Sequence, residues 1–497
     1  MTAARPGDGD GAVPRRLGLV FGVCWAGLVA LQFGWGAPYA WGYNLWQYLP
    51  GGLVVVLLGA SLGLCVPSVR SALFRGFSSA SEKLGRLPAA RVVGFFGIVV
   101  CLWLFRERGL YGDSQIFMQA SKGSLFLFPD VGASFLIGRL LALGRLYESM
   151  APENLFAVQA AVCLCGAVTV ACVFRACAYL APGWQGAAAL LILSGGGVRV
   201  FAGHVEVYAF LLAAVAGYLW ATLAYLESRA SLVVPSLVLG FAIWLHVAAL
   251  CLLPSLLVLP FLARRLSENR RPLGQSVRAG LLAVLPLASF LAGALLFGAR
   301  DDLEHVLRVL GEIMGTATAA DAVQRWNRGW GGGGSVGTQY VLLSAGHLKY
   351  LVNAAHLLSP AAAPILFAVV IARRQALWGS ERARFLASAC IPLGVYALVL
   401  RPVWGPFDWD LFSVTAFFFT VWAAYAFGST AVDASKPDWW TDAYTWLVGS
   451  TVIFVTLPFL LIAPGATRDA GPFGGTSFSF ELLDGEPRED SPIAPWL

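Results

Sequence analysis

The stretch FRERGLYGDSQIF, residues 105–117, marks the point where an apolar run over residues 89–105 ends. That run is long enough to be a membrane span. Arg106, Glu107, Arg108 and Asp113 stand in this short stretch, although only 12% of the whole chain is charged. A lone carboxylate, Asp113, between a glycine and a serine is typical of a turn, but it also stands at the point where the chain leaves the lipid.

The composition indicates a membrane protein. Of the 497 residues, 58% are hydrophobic, whereas a soluble protein has about 45–50% apolar and about 25% charged residues. The excess lies in runs, which predicts a polytopic membrane protein. The net charge of +6 does not indicate nucleic-acid binding, because the basic residues lie in short loops and no aromatic and basic surface accompanies them.

The nine cysteines lie in or beside apolar runs, without a CxxC or a Cys/His cluster. They predict neither a disulfide framework nor a zinc site. The charged and then apolar N-terminus lacks a small-residue cleavage signature, which predicts a retained first span.

The apolar runs predict an all-α polytopic membrane protein with about 13 transmembrane helices, in a range of 11–13. The thirteen candidates are 17–36, 46–66, 89–105, 155–174, 186–202, 207–226, 232–246, 247–262, 279–298, 358–372, 385–400, 411–428 and 443–463. The pairs over 186–226 and 232–262 are short and could be hairpins that do not fully cross.

The positive-inside rule predicts one topology. Basic residues cluster before the first span and in 68–91, 263–278 and 373–384, so a cytoplasmic N-terminus places every cluster inside. The segments 106–154, 299–357, 401–410 and 464–497 then lie outside. We expect an N-terminal two-span addition with a basic cytoplasmic loop (1–88), a catalytic membrane domain (89–463) and a disordered outer tail (464–497).

Two segments in the long outer loops have the period of a helix. DDLEHVLRVLGEIM, 301–314, predicts an interfacial helix. HLKYLVNAAHLLSP, 347–360, has an apolar stripe of Leu348, Leu351, Val352 and Ala355, and its Lys349, Asn353 and His356 share another face. GWGGGGSVG, 329–337, lacks the Lys-Ser/Thr ending of a phosphate loop and predicts a hinge.

The polar residues near span ends fall on the predicted outer side. They are Asp113, Arg199, His204, Glu206, His246, Arg401, Asp408 and Asp410. A charge at the bilayer centre costs about 2.5–3.5 kcal/mol on insertion scales, so ionisable groups at that depth face a cavity or a partner. Their shared level predicts one polar cavity that opens outward.

Each residue also has a purely structural interpretation. Glu206 could favour a helix N-terminus, Asp410 could be an N-cap, and Arg199 and Arg401 could extend to the interface. His246 could be a packed, hydrogen-bonded core histidine. Lys349, Asn353 and His356 could form the solvated face of an interfacial helix.

Three motifs resemble the GT-C superfamily of polytopic membrane glycosyltransferases: YGDSQIF (111–117), GHVEVYAF (203–210) and GPFDWDLF (405–412). The likeness covers roughly 89–463 and is greatest to the branch of protein O-mannosyltransferases and lipid A or cell-wall glycan transferases. It implies a polyprenyl-phosphate-linked sugar donor, an acceptor protein, lipid or glycan, and a site facing the exterior of the inner membrane. Asp113 stands alone in GDS, where many members have two acidic residues.

The resemblance implies a role for each candidate. Asp113 is the catalytic base, and the developing phosphate charge is met by Arg401 first, then by Arg199, Lys349 and the histidines. Glu206, Asp408 and Asp410 would orient sugar hydroxyls, with His246 and Asn353 as further substrate-binding residues. A single displacement inverts the anomeric centre. A divalent metal is a candidate cofactor without assigned ligands.

Three other classes remain open. A transporter or lipid-linked sugar flippase would have polar residues at the midplane, discontinuous helices and often inverted repeats. A polymerase or ligase using diphosphate-linked glycans would share the large outer loop. A structural scaffold would give no reason for acids and bases at one level.

Overall fold

The computed structural model describes residues 12–33, 43, 45–86, 88–107, 126, 130–143, 155–182, 184–263, 272–296, 343, 345–373, 377–400, 405–433 and 438–462. Asp113, Arg401, the segment 301–314, the hinge 329–337 and the tail 464–497 lie outside these residues, so the expectations about them remain predictions.

Every regular element in the described part of the chain is a helix, which confirms the all-α prediction. The first half contains α1 (Ala12–Phe33), a 3-10 turn (Leu45–Tyr48), α2 (Gly51–Gly63), α3 (Pro67–Arg86), α4 (Pro88–Leu104), α5 (Val131–Leu143), α6 (Phe156–Leu180), α7 (Gln185–Leu193), a 3-10 turn (Gly196–Phe201) and α8 (Tyr208–Leu226).

The second half contains α9 (Val233–Leu245), a 3-10 turn (Val247–Leu252), α10 (Leu253–Leu257), α11 (Leu259–Leu262), α12 (Pro272–Leu296), α13 (Ala345–Leu358), α14 (Ala362–Arg373) and α15 (Glu381–Val399). A 3-10 helix (Gly405–Phe412) then leads into α16 (Ser413–Asp433), which is followed by α17 (Asp438–Thr451), a π-helical turn (Val452–Thr456) and α18 (Leu457–Ile462).

The chain is an all-α polytopic membrane protein. Among the described residues, six helices are long and apolar enough to cross a membrane, or seven if the pair Gly51–Gly63 and Pro67–Phe77, bent by 96°, is one span. Shorter apolar helices accompany them, including Arg91–Leu104 and Val233–Leu245. The number thirteen therefore remains a prediction.

Two sequence expectations need correction. The segment 68–91 was expected to be a basic loop, but most of it forms the 20-residue helix α3. Its Arg70 is buried and pairs with Asp442 at 3.0 Å. The run 186–202 is not one span, because α7 ends at Leu193 and the chain continues as a 3-10 turn from Gly196. The glycines at this break let another part of the chain come closer than the side chains of a regular helix would allow.

Side-chain contacts define two ends of the helical body. At one end, Tyr208 at the start of α8 lies 5.5 Å from His246, between ring centroids. At the other end of α8, Glu227 pairs with Arg382 near the start of α15. We call the first of these the site end and the second the opposite end.

The N-terminal helices pack against the last helices of the chain. The Trp46 ring stacks on Phe454 at 4.8 Å, and its indole N–H donates to the Ile453 carbonyl at 3.2 Å. Phe21 stacks on Trp446 at 4.8 Å. Aromatic pairs of this kind contribute about 0.5–1.5 kcal/mol beyond the burial of their surface. The first and last described helices are thus joined in one apolar core, while a boundary near residue 88 remains a prediction.

Candidate active site

The charged stretch after α4 is fixed against the connection between α7 and α8. The Glu107 backbone N–H donates to the Ala202 carbonyl at 2.9 Å. The Glu107 carbonyl accepts from Nε2 of Gln159 at 2.8 Å. Gly203 has φ +65°, and a Cβ there would lie 2.7 Å from Cβ of Arg106. Only glycine fits this contact at low cost.

The same connection also approaches the end of α13 closely. A Cβ on Gly195 would lie 2.1 Å from the Leu358 carbonyl oxygen, which no larger residue could tolerate. After this contact, the 3-10 turn carries Arg199 into the interior, where it is buried. The local sequence GGVRVFAGH therefore gives the chain the freedom to bring a cation and a histidine to one point.

Glu107 holds both of these groups. Its Oε1 accepts from Nε and Nη2 of Arg199 at 3.2 and 3.0 Å. Its Oε2 lies 2.8 Å from Nδ1 of His204. The Arg199 guanidinium also lies 4.4 Å from the centre of the Phe459 ring. The Glu107 side chain is only 1% exposed, so its charge depends on these partners.

The other ring nitrogen of His204 faces a third connection. Nε2 lies 3.4 Å from Oδ2 of Asp410, in the 3-10 helix before α16. The imidazole also stacks on Trp409, with centroids 5.8 Å apart. Ligand atoms of His204, Glu206 and Asp410, all buried, lie within 4.8 Å of one another. One imidazole nitrogen and two carboxylates form a donor set that suits a divalent cation.

The charges shift the pKa values of the central pair in opposite directions. Burial alone would raise the pKa of Glu107, but the charges of His204 and Arg199 and their hydrogen bonds outweigh it and lower that pKa. Burial would lower the pKa of His204, but the Glu107 charge and the hydrogen bonds to Asp410 and Glu107 raise it to about 9. Without a metal, His204 is therefore an imidazolium between two carboxylates.

A second histidine and carboxylate pair lies nearby. Nε2 of His246, directly after α9, is 2.9 Å from Oδ1 of Asp130, directly before α5. Tyr208, at the start of α8 and two residues after Glu206, lies beside the His246 ring. Tyr208 thus connects this pair with the segment that carries His204 and Glu206.

The structure brings together several predicted residues. Arg199, His204, Glu206 and Asp410 form one buried cluster, and the His246 ring lies beside Tyr208, two residues after Glu206. Asp410 lies inside a 3-10 helix and does not begin α16, so the N-cap interpretation is wrong. Asp408 shares that 3-10 helix, and its side chain is outside the described part.

Helix α13 shows which of its two faces is turned outward. Its apolar stripe is turned outward, with Leu348 45% and Val352 56% exposed. Asn353 is buried and donates to the Lys349 carbonyl at 2.9 Å, while Lys349 itself is exposed. The interpretation that Lys349, Asn353 and His356 form a solvated face is therefore wrong. In a membrane protein, the outward apolar stripe is suited to lipid contact.

Sequence reasoning missed Glu107 and Asp130 as site residues. Glu107 stands in the same charged stretch as Asp113 and could have been considered, but it looked like one more charge at a span end. Asp130 carries no local motif. Both become visible only through partners that are distant along the chain.

Comparisons with known proteins give structural matches alone. No protein-family model matches the chain, and no curated protein matches it. ArnT from Cupriavidus metallidurans bound to undecaprenyl phosphate matches at 14% identity and a TM-score of 0.42, over 76% of this chain and 77% of that one.

An oligosaccharyltransferase from Archaeoglobus fulgidus, tethered to an acceptor peptide, matches at 11% identity and a TM-score of 0.40, over 80% of this chain. This chain spans only 58% of that protein's length. With TM-scores below 0.5, this likeness carries no conclusion about chemistry, which has to come from the site.

Proposed function

We propose that this protein is an inverting glycosyltransferase of the inner membrane that moves a sugar from a polyprenyl-phosphate donor to an acceptor on the extracytoplasmic side. The observation that carries the proposal is the buried chain of contacts from Arg199 through Glu107 and His204 to Asp410. It joins three separate connections at the end of the helices. Burying charged groups costs free energy, so a group of this kind at the end of the helices favours a functional site.

The reaction needs a base, a stabilised leaving group and oriented hydroxyls. The acceptor O–H gives its proton to the Asp113 carboxylate while its oxygen bonds to C1 of the sugar. The bond from C1 to the phosphate oxygen breaks, and the lipid phosphate leaves with the electron pair. Arg401 is proposed to meet this charge, with Arg199 and Lys349 as further cations. Asp408 and Asn353 remain proposed substrate-binding residues.

The buried carboxylates of Glu206 and Asp410 can serve in two ways. Glu206 and Asp410 can accept hydrogen bonds from sugar hydroxyls, as the sequence predicted. Together with His204 they also fit a divalent cation, which when bound would supply positive charge next to the donor phosphate. Glu107 would then orient His204 through Nδ1 and leave Nε2 directed toward the two carboxylates.

The distribution of arginines supports the proposed sidedness. Arg70 pairs with Asp442 and Arg382 with Glu227, both at the opposite end from the site. Loops on the cytoplasmic side of membrane proteins carry an excess of Lys and Arg. We therefore propose that the site end is exterior, where a polyprenyl tail can stay in lipid while its headgroup enters the site.

The direct test is sugar transfer by the purified full chain in lipid nanodiscs. Radiolabelled polyprenyl-phosphate hexoses and pentoses are supplied with membrane lipids, peptides and glycans as acceptors, and glycosidic products are measured. We expect transfer by the wild type and a loss of about a hundredfold or more in Asp113→Asn. The matched control is Glu227→Gln at the opposite end. Full turnover by a folded Asp113→Asn protein would exclude Asp113 as the base.

A transporter or flippase of lipid-linked sugars is the second candidate, because some helices are discontinuous. α7 is broken before Gly196, and the chain is extended at His246 between α9 and the next turn. Both breaks lie next to the site end. Movement of a sugar lipid across vesicles without formation of a glycosidic bond would favour this candidate.

A further inference from the structure

We propose that Asp130 is a substrate-binding carboxylate for a hydroxyl group and that His246 is the positioning residue that orients it. The proposal rests on the proposed function and adds a second polar group to the same site. Asp130 was not among the residues that the sequence motifs selected. His246 was, and its geometry shows what it holds.

The hydrogen bonds of His246 fix its protonation. Its Nδ1 accepts from the Ala248 backbone N–H at 2.9 Å, so Nδ1 carries no proton. The proton therefore lies on Nε2, which donates to Oδ1 of Asp130 at 2.9 Å. In this tautomer the imidazole is neutral, and its hydrogen bond uses one of the two carboxylate oxygens of Asp130.

The Asp130 side chain is more exposed than that of Glu107. Its side chain is 16% exposed, whereas those of His246 and Glu107 are 5% and 1% exposed. Glu107 is thus enclosed by its cationic partners, while Asp130 is held from one side by a neutral donor and is open on another. This combination of fixed orientation and partial access is expected of a binding group.

The charge of Asp130 defines the chemistry of its ligand. A carboxylate beside a neutral imidazole repels a phosphate and accepts hydrogen bonds from hydroxyl groups. Tyr208 lies beside the His246 ring and follows Glu206 by two residues, so a bound sugar can extend from Asp130 toward Glu206 and Asp410. The hydroxyl can belong to the donor sugar or to the acceptor.

Substitutions at His246 separate positioning from a structural role. Gln can place an amide N–H near the position of Nε2 and keep the bond to Asp130, whereas Asn can place an oxygen near Nδ1 and keep the bond from Ala248. If His246 acts through Asp130, His246→Gln keeps most activity and His246→Asn loses about ten- to a hundredfold in kcat/KM. A structural role alone predicts the reverse order.

The experiment uses the full chain in nanodiscs with a polyprenyl-phosphate-linked hexose as the probe. Hydrolysis of this donor by water and transfer to octyl glycosides are measured separately in wild type, Asp130→Asn and the two His246 variants. A KM that rises about ten- to a hundredfold for the donor in both reactions assigns the hydroxyl to the donor sugar. A rise confined to the octyl glycoside assigns it to the acceptor.

The results distinguish a failure of the proposed function from a failure of this inference. A wild type that turns over no donor overturns the proposed function together with this inference. An active wild type with unchanged KM values in Asp130→Asn overturns the inference alone. Retained activity in His246→Asn with loss in His246→Gln overturns the positioning role, and thermal unfolding of each variant shows whether a loss of activity comes from a loss of folding.

Discussion

Oε2 of Glu107 lies 2.8 Å from Nδ1 of His204, although 97 residues separate the two along the chain. This contact makes the carboxylate the acceptor for one ring nitrogen and directs the other toward Asp410. The same carboxylate pairs with Arg199. A single buried acid therefore sets the orientation of both basic groups in the cluster.

Replacing Glu107 with Gln is expected to cost both stability and activity. Gln keeps the shape but leaves the Arg199 and His204 charges without their anion, and breaking a buried pair in this way costs about 3–5 kcal/mol of unfolding free energy. Transfer activity in folded protein is expected to fall at least about tenfold, because the His204 ring is no longer held. Thermal unfolding in detergent and the sugar-transfer assay measure the two effects.

The control for this variant is Glu227→Gln. Glu227 also pairs with an arginine, but the side chains of Arg382 and Glu227 are 29% and 34% exposed. Such exposed pairs contribute about 0–1 kcal/mol. Equal losses in the two variants would contradict a central role for Glu107.

The stability of the metal-free protein is expected to decrease with rising pH. The folded pKa of His204 is raised from 6.5 to about 9, so its contribution is complete below the unfolded pKa and is lost as the pH rises through the folded pKa. The full loss is on the order of 3 kcal/mol. Unfolding temperatures measured with a chelator across pH 6 to about 10 test this. A slope that persists unchanged in His204→Gln would show that other groups cause it.

A divalent cation is expected to bind once per chain at His204, Glu206 and Asp410. Binding is expected to strengthen as the pH rises toward about 9, because the cation must displace the proton of His204. Equilibrium dialysis with Mn²⁺ measures the stoichiometry, and chelation is expected to lower the unfolding temperature of the loaded protein.

Substitutions test which residues bind this cation. Asp410→Asn is expected to abolish binding, and Glu107→Gln to weaken it about ten- to a hundredfold, because Glu107 orients a ligand without contacting the ion. Glu227→Gln at the opposite end should bind as the wild type does. Binding that is unchanged in Asp410→Asn would place the ion elsewhere.

Gly203→Ala is expected to disrupt the site through the backbone. Its φ of +65° costs an L residue about 1–2 kcal/mol, and the added Cβ would lie 2.7 Å from Cβ of Arg106. Relief of that contact moves His204, the next residue. We expect a lower unfolding temperature and a loss of transfer activity of about tenfold or more.

Gly217→Ala is the matched control for the backbone effect. Gly217 lies within helix α8, and the nearest atom to its added Cβ is Cγ1 of Val238 at an ordinary 3.5 Å. Ala in a helix gains up to about 1 kcal/mol over Gly. A Gly203→Ala protein as stable and active as Gly217→Ala would contradict the proposed strain.

Hydrophobic runs were sufficient to predict the helical membrane fold, because each span needs a continuous apolar segment that can be recognised locally. The breaks inside those runs were not predictable. The end of α7 before Gly196 follows from the close approach of Leu358, a residue far away in sequence. The outward apolar stripe of α13 was also ambiguous, since periodicity gives the faces of a helix but not what each face contacts.

The candidate site, like the fold, was predictable only in part. The sequence by itself determined which polar residues stand at span ends, and so it selected Arg199, His204, Glu206, His246 and Asp410 as candidates. Only the tertiary structure decided that Glu107 holds Arg199 and His204 and that His246 holds Asp130. The physical reason is that membrane insertion depends on the composition of each segment, whereas a hydrogen bond depends on the positions of two atoms, and packing of distant helices sets those positions.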